Sequence, residues 1–355
     1  MASERTQVCG IGMVGSFGTT PADLFARRAA GSPRLTPTRV RRAGGTFELP
    51  VHAADLSRLL EFIPKRSIRR IDRLSGLSLL AAHLALQDAG LPLVGERTGL
   101  VLATGYGASH STGEFLDSII DGADLGASPT AFAGSVHCSA ASQVSIGLGI
   151  RGPTLTVTQF ELSCGEALRV ACRWLASGRV DTVLAGAADE YSDTVGSCWQ
   201  RLTAGLFPAT AEAAPAPGEG AAFLVLQRAP ADGPAAAGIG SVATGARWAP
   251  AATWQPGIVV LGDDGLPCQQ SQYEQAVPAG LTTACLTPFY GVFPASQMLD
   301  VAAVLAAWRA GDTKSLPGLG RPAAAAPGDG PNPTSAACLK FDLDGRYSLI
   351  EPTFC

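Results

Sequence analysis

Apolar positions along the chain switch repeatedly between a strand-like and a helix-like period. Residues 6–14 (TQVCGIGMV) form a short apolar run that leads into glycine and predicts a buried strand. Over 67–90, Leu74, Leu77, Leu80, Leu84 and Leu86 recur at roughly helical spacing and Gly90 supplies a C-terminal stop, so this stretch predicts an amphipathic helix. A buried strand is expected at 98–104 (TGLVLAT), then a glycine turn at 105–109. Helical stretches follow near 113–121 and over the second half of 128–153. The clearest local grammar lies at 153–190. LTVTQF alternates as a strand does, SCGEALRVACRWLASG has helical spacing and stops at Gly178, and DTVLAGAA reads as a second buried strand. This is a β-turn-α-β unit, consistent with a parallel crossover.

A turn-rich link at 211–220 precedes another predicted strand at 221–228 (AAFLVLQR). The Ala/Pro/Gly connector at 229–239 is the best boundary, dividing 1–228 from 229–355. Beyond it the pattern predicts a second α/β segment, with a strand at 258–262, a helix over 271–277 and a strong helix over 295–311. A surface loop is expected at 317–335, and AACLKFDLDG with RYSLIEP closes the chain as a hairpin.

Composition narrows the function classes. Of 355 residues, 46% are hydrophobic and 16% charged, which supplies a core and excludes a disordered chain. The net charge of −4 gives no electrostatic case for nucleic acid or an anionic membrane. Nine cysteines, none paired as C-x-x-C, argue against a disulfide or zinc framework and fit a reducing cytoplasm, with no metal or cofactor called for. The N-terminal residues lack the basic and apolar regions of a signal peptide, and no apolar run reaches the roughly 18 residues that span a bilayer. The four histidines are His52, His83, His110 and His137. A mechanism that needs imidazole from the C-terminal half is closed to this chain alone.

Two stretches carry a resemblance. The first holds Gly152-Pro153, a strand up to Phe160, the turn Gly178-Arg179-Val180-Asp181, and a strand through Leu184 to Glu190. The second is Pro217-Gly218-Glu219-Gly220 followed by a strand to Leu226. Their order and spacing resemble the β-ketoacyl synthases of the thiolase superfamily, over nearly the whole chain but weakly after residue 235. The resemblance implies an α/β thiolase fold, layered αβαβα and built from two similar halves. In register with the family, the nucleophilic cysteine is replaced by Glu161, nine residues after Gly152 and seventeen before Gly178. The first family histidine falls on Gly262 or Asp263, and the second on Val292. The family's closing Gly-Phe-Gly-Gly-Thr-Asn loop is not recognisable in AACLKFDLDG.

These losses bear directly on chemistry. A condensing enzyme needs a thiolate to carry the acyl group and, in this family, two histidines to support decarboxylation and the enolate. Losing one member of such a unit can cost on the order of 10⁶ in rate, so no catalytic residue is expected here and no imidazole is expected near Glu161. Cys164, three residues on, reads either as a displaced nucleophile or as a packed small residue. Cys138 beside His137 reads the same way. Glu161 is either a working carboxylate, as in Gln-substituted loading ketosynthases, or an anion tolerated at a helix N-terminus.

Ketosynthase-like chains without these three residues resemble the chain length factors of type II polyketide synthases, where Gln usually holds the nucleophile position. Leu299 to Leu305 (LDVAAVL) is close to a stretch of those factors. That resemblance implies a heterodimer with a cysteine-bearing ketosynthase, or a dimer of such heterodimers, served by an acyl carrier protein. The factor closes an acyl tunnel, with Tyr106, Ser109, Thr112, Leu116, Ala133 and Glu161 as the wall; several of these are small, which suits a roomy tunnel, and the chain, short for the family, resembles the compact factors of polyene-type systems. The rival readings are a decarboxylase or acyltransferase using Glu161 or Cys164, and a scaffold that only recruits carrier protein.

Overall fold

The computed structural model describes residues 6–42, 45–68, 71–91, 95–207, 214–229, 237–249, 253–278, 280–312, 316 and 335–354. Its strands are β1 (Thr6–Val14), β2 (Thr36–Arg42), β3 (Gly45–Val51), β4 (Thr98–Ala103), β5 (Thr154–Val157), β6 (Thr182–Asp189), β7 (Gly220–Arg228), β8 (Gly238–Gly245), β9 (Ile258–Leu261), β10 (Thr283–Ala284), β11 (Ala336–Phe341) and β12 (Tyr347–Thr353). Its α-helices are α1 (Pro21–Ala29), α2 (Lys65–Ile68), α3 (Arg73–Ala89), α4 (Ser109–Gly126), α5 (Pro129–Ser135), α6 (Ser139–Leu148), α7 (Ser163–Ala176), α8 (Asp193–Leu206), α9 (Pro267–Ala276), α10 (Thr287–Tyr290) and α11 (Gln297–Arg309).

Local chemistry sets the boundaries. The helix expected from 67 begins instead at Arg73, because Asp72 accepts the Ser75 amide at 2.8 Å and caps it. Gly90 ends it in the left-handed region, at φ 62°. The strand expected over 155–160 stops at Val157, where the chain enters a tight turn. The helical stretch of 128–153 divides into α5 and α6, and the helix expected at 271–277 starts earlier, with Pro267 in its first turn. The connector residues 230–236, the link residues 211–213 and the loop residues 317–334 lie outside the described residues.

Among the described residues, ten strands form one mixed sheet in the order β10-β9-β11-β12-β8-β1-β7-β6-β4-β5, and β2 pairs with β3 as a separate hairpin. In the first half, β1 is antiparallel to β7 and β7 to β6, while β6, β4 and β5 run parallel. The second half repeats this: β8 is antiparallel to β12 and β12 to β11, while β11, β9 and β10 run parallel. The halves meet edge to edge through Thr6↔Ile239 and Gln7↔Gly238, with the Val8 amide donating to the Ala237 carbonyl at 2.8 Å.

Helices fill the space between and outside the two halves. α7 packs on β4, β5 and β6 of one half and on β8 and β12 of the other; α11 likewise touches β1, β7, β11 and β12. These two helices are the central layer, so the stretch from Gln297 to Leu305 is buried on every side, polar residues included. α3 and α6 cover the outer face of the first half, and α9 packs on β11 of the second. The result is the αβαβα thiolase fold, built from two similar halves. No helix among the described residues is long and apolar enough to cross a membrane.

Candidate functional site

The site is assembled where strand ends of both halves meet the central helices. Asp189, at the end of β6, is fully buried. It accepts hydrogen bonds from the Thr104 hydroxyl (2.7 Å), from the amides of Gly105 and Tyr106 (2.9 and 2.8 Å), and from the Ala295 amide (2.8 Å). One carboxylate thereby ties the glycine turn after β4 to the turn before α11. Burial raises its pKa and these donors oppose the shift. Glu190 accepts from the Leu74 and His110 amides, and Glu219 pairs with Arg73 and accepts from the Ala54 amide. These three acids hold the scaffold, because each is fully engaged.

Glu161 is different. It lies in a 3-10 turn, Phe160–Leu162, immediately before α7 rather than within it. Phe160 has φ 48°, the one positive value at a non-glycine among the described residues. The Ser163 hydroxyl fixes the turn by accepting from the Gln159 amide (2.7 Å) and donating to the Thr104 carbonyl (3.1 Å). Burial pushes the Glu161 carboxyl up to about 7, with the Lys340 ammonium pulling the other way.

Glu161 lines a cavity of about 570 Å³, together with Tyr106, Ser109, His137, Phe160, Val195, Cys198, Trp199, Leu202, Asp264, Leu266, Gln269, Val292, Phe293 and Leu343. The structure thus brings together four of the sequence candidates: Tyr106, Ser109, Glu161 and Val292. Thr112, Leu116 and Ala133 do not line it. Thr112 donates to the Ala108 carbonyl at 2.8 Å, Leu116 is 51% exposed, and Ala133 is exposed on α5.

Neither candidate for the first histidine position reaches the cavity; their neighbour Asp264 does. At Gly262 a Cβ would stand 2.9 Å from Lys340 Cγ, so no side chain fits there. Asp263 accepts from the Gly265 amide at 2.9 Å. Val292 is buried in an apolar cluster with Trp199 and Leu266.

Sequence reasoning missed Lys340. It is fully buried on β11, and its Nζ donates to Asp264 Oδ1 (2.9 Å), the Ser296 hydroxyl (3.2 Å) and the Gly262 carbonyl (3.3 Å). Burial opposes its charge, but Asp264 and Glu161 outweigh that and the net shift is upward. The signal was present as a lone lysine inside the apolar run AACLKF. His137 was misplaced as well: the expectation of no imidazole near Glu161 is corrected, because His137 lines the same cavity. It packs over Gly107, where φ is 64° and a Cβ would meet the ring at 2.7 Å. Neither Cys164 nor Cys138 lines the cavity. Cys164 is fully buried, contacts the Ala295 carbonyl at 3.4 Å, and is pushed up to about 12 by burial, the state of an inert packed thiol.

Chemically, this is a largely apolar pocket with the Glu161 carboxyl on its wall. No three His, Cys, Asp or Glu side chains converge to hold a metal among the described residues. Fold and site together define a ketosynthase-like protein. Residues 16–231 match the family described as the N-terminal domain of β-ketoacyl synthases, and the chain belongs to that family. It is similar to nodulation protein E of Rhizobium meliloti (strain 1021), 28% identical over 192 residues, which is 52% of this chain and 47% of that one. The chain thus spans about half the length of the curated relatives it matches. In fold it is similar to the ishigamide ketosynthase/chain length factor, with a TM-score of 0.74 at 21% identity over 99% of each chain. It is also similar to the ketosynthase (ApeO) in complex with its chain length factor (ApeC) from Xenorhabdus doucetiae, with a TM-score of 0.76 at 16% identity over 99% of this chain and 98% of that one.

Proposed function

We propose that this chain is a non-catalytic chain length factor. It pairs with a cysteine-bearing ketosynthase, works on acyl groups brought by an acyl carrier protein in the cytoplasm, and shapes the tunnel into which a polyketide, of polyene type, grows. The N-terminal half is read as 1–228 and the C-terminal half as 229–355.

The observation that carries the pairing is an uncovered apolar face. Of ten large hydrophobic side chains exposed among the described residues, seven fall between 116 and 160: Leu116, Ile120, Phe132, Val136, Ile146, Leu155 and Phe160. Such clustering marks an interaction surface rather than scattered exposure. β5 lies beside it at the end of the sheet, hydrogen-bonded only to β4, so its outer backbone groups are open to a partner strand. Leu116 and Ala133 sit on this face, so their side chains line a tunnel only once a second subunit covers them.

Three observations support a non-catalytic role. Glu161, which its spacing from Gly152 and Gly178 assigns to the nucleophile position, lies in the turn before α7, Cys164 is sealed in the core, and Lys340 fills the space beside Gly262. A carrier protein also finds cations on this chain, whose residues Arg39, Arg41, Lys65 and Arg66 are all exposed. The test is acylation of the co-expressed pair. The label from acyl carrier protein is expected on the ketosynthase alone, whereas a decarboxylase would release CO₂ from a malonyl thioester without a partner.

A further inference from the structure

The apolar face on α4, α5 and β5 has two properties that hydrophobicity does not explain. The first is its edge strand. β5 reads TLTV and carries no charged side chain, although edge strands are ordinarily guarded by lysine, proline or a bulge. Nothing in β5 itself would stop a second copy of the chain from adding its own β5 there. The second property is the sign of the surrounding charge. From Thr98 to Leu168 the sequence holds a single Lys or Arg, Arg151, against Glu114, Asp117, Asp121, Asp124, Glu161 and Glu166. Arg151 stands just before β5, where the chain bridges to Gly95. Three of the acids are exposed on α4, at positions 114, 117 and 121, a spacing of i, i+3 and i+7 that sets them in one stripe. Leu116 and Ile120, 51% and 77% exposed, form the neighbouring stripe, so the acidic and apolar edges of α4 lie side by side. Arg41, Asp193 and Arg201 share a groove with Asp117; Arg41 is held by Asp193 at 3.1 Å, so these three add one positive charge beside a stripe of three negative ones. His110 Nε2 lies 3.5 Å from Glu114.

We propose that the acidic stripe of α4 closes this face to a second copy of the chain and fits it to a different protein, one that offers Lys or Arg around an apolar centre. A two-fold pair puts the same patch on both subunits. Two copies would then bring Glu114, Asp117 and Asp121 of each into one interface, where like charges oppose association. A partner with cations opposite the stripe gains attraction in the same place. This choice of partner rests on the pairing proposed above. The exposed apolar side chains and the β5 edge supply contact that either partner could use, and the charge supplies the discrimination. The guard that β5 lacks is thus carried by the neighbouring helix.

The test is sedimentation velocity of the full chain in about 0.1 M and about 1 M salt, between which the Debye length falls from about 10 to about 3 Å. The native chain is expected to stay monomeric in the lower salt and to self-associate in the higher. Glu114→Gln with Asp117→Asn and Asp121→Asn keeps the shape and removes the charge. It should self-associate at least about tenfold more tightly than the native chain in the lower salt. Glu114→Lys with Asp117→Lys and Asp121→Lys should pair one to one with the native chain in the lower salt. Glu48→Gln with Glu61→Gln and Asp344→Asn removes as many exposed charges elsewhere and should behave as the native chain does. In the same salt, the co-expressed ketosynthase should bind the neutral α4 variant at least about tenfold more weakly than it binds the native chain. Equal self-association of the native chain and the neutral variant, or equal binding of both to the ketosynthase, would overturn the proposal. A native chain that binds no ketosynthase would strike the pairing and the choice of partner with it, whereas the exclusion of a second copy is read from sedimentation alone.

Discussion

At the residue scale, Lys340 is the charge that the fold buries most completely beside Glu161. A fully buried ammonium survives because Asp264, Ser296 and the Gly262 carbonyl satisfy its protons. Lys340→Met would leave Asp264 buried without its cation. Denaturant unfolding should show a loss of about 3–5 kcal/mol, and Lys340→Met with Asp264→Asn should recover part of it. Removing the ammonium also removes the influence that lowers Glu161, so the Glu161 carboxyl should titrate at higher pH in this variant. Unchanged stability in the single variant would mean the pair is not buried as described. Much at this scale was legible in the sequence. Spacing from Gly152 and Gly178 put Glu161 at the head of a helix, and the structure places it in the turn that opens α7. Lys340, Asp264 and His137 were not legible as neighbours of Glu161. They arrive from β11, from the loop after β9 and from the segment before α6, and local spacing carries no information about such contacts.

At the element scale, prediction worked where one period dominated. The unit from β5 through α7 to β6 has an alternating strand, a helix with an apolar stripe and a glycine stop, and it folds as its pattern suggests. The β2–β3 hairpin was missed because, among the described side chains of its strand TPTRVRR, only Val40 is buried, which leaves almost no apolar alternation to detect. α11 gave a strong helical signal but no face, since a helix enclosed by both halves needs none. α4 and α5 carry their own prediction. They pack together through Phe115 and Phe132, whose ring centroids are 5.2 Å apart, and they present Leu116 and Ala133 outward. In the assembled pair, Leu116→Trp or Ala133→Trp should shorten the product by filling the tunnel, because close-packed walls resist added volume. Mass spectrometry of the released chains reads this. Unchanged length in both variants would remove α4 and α5 from the tunnel wall.

At the scale of the whole molecule, the two halves press titratable groups into a shared interior, and this sets the pH response. Burial raises Glu161, Glu190 and Asp300, each to about 7. The fold therefore holds protons that the unfolded chain has released. This contribution is full below the unfolded carboxyl range and is lost as pH rises towards 7. His52, lowered to about 4 by burial, acts in the opposite sense: its contribution is full above 6.5 and is lost as pH falls. His83 is also lowered. Three carboxyls outweigh the histidines, so unfolding free energy should fall from pH 5 to pH 7.5. Asp300→Asn should flatten that slope, and a native slope of opposite sign would contradict the burial of these acids.

The central claim concerns the pair rather than the chain. The direct measurement is intact-mass analysis of the co-expressed subunits after exposure to an acyl carrier protein loaded with a labelled acyl group. The account predicts a stable complex in which the adduct sits on the ketosynthase cysteine and none forms on Cys164 or Cys198. An adduct on this chain, or two subunits that never associate, would contradict it.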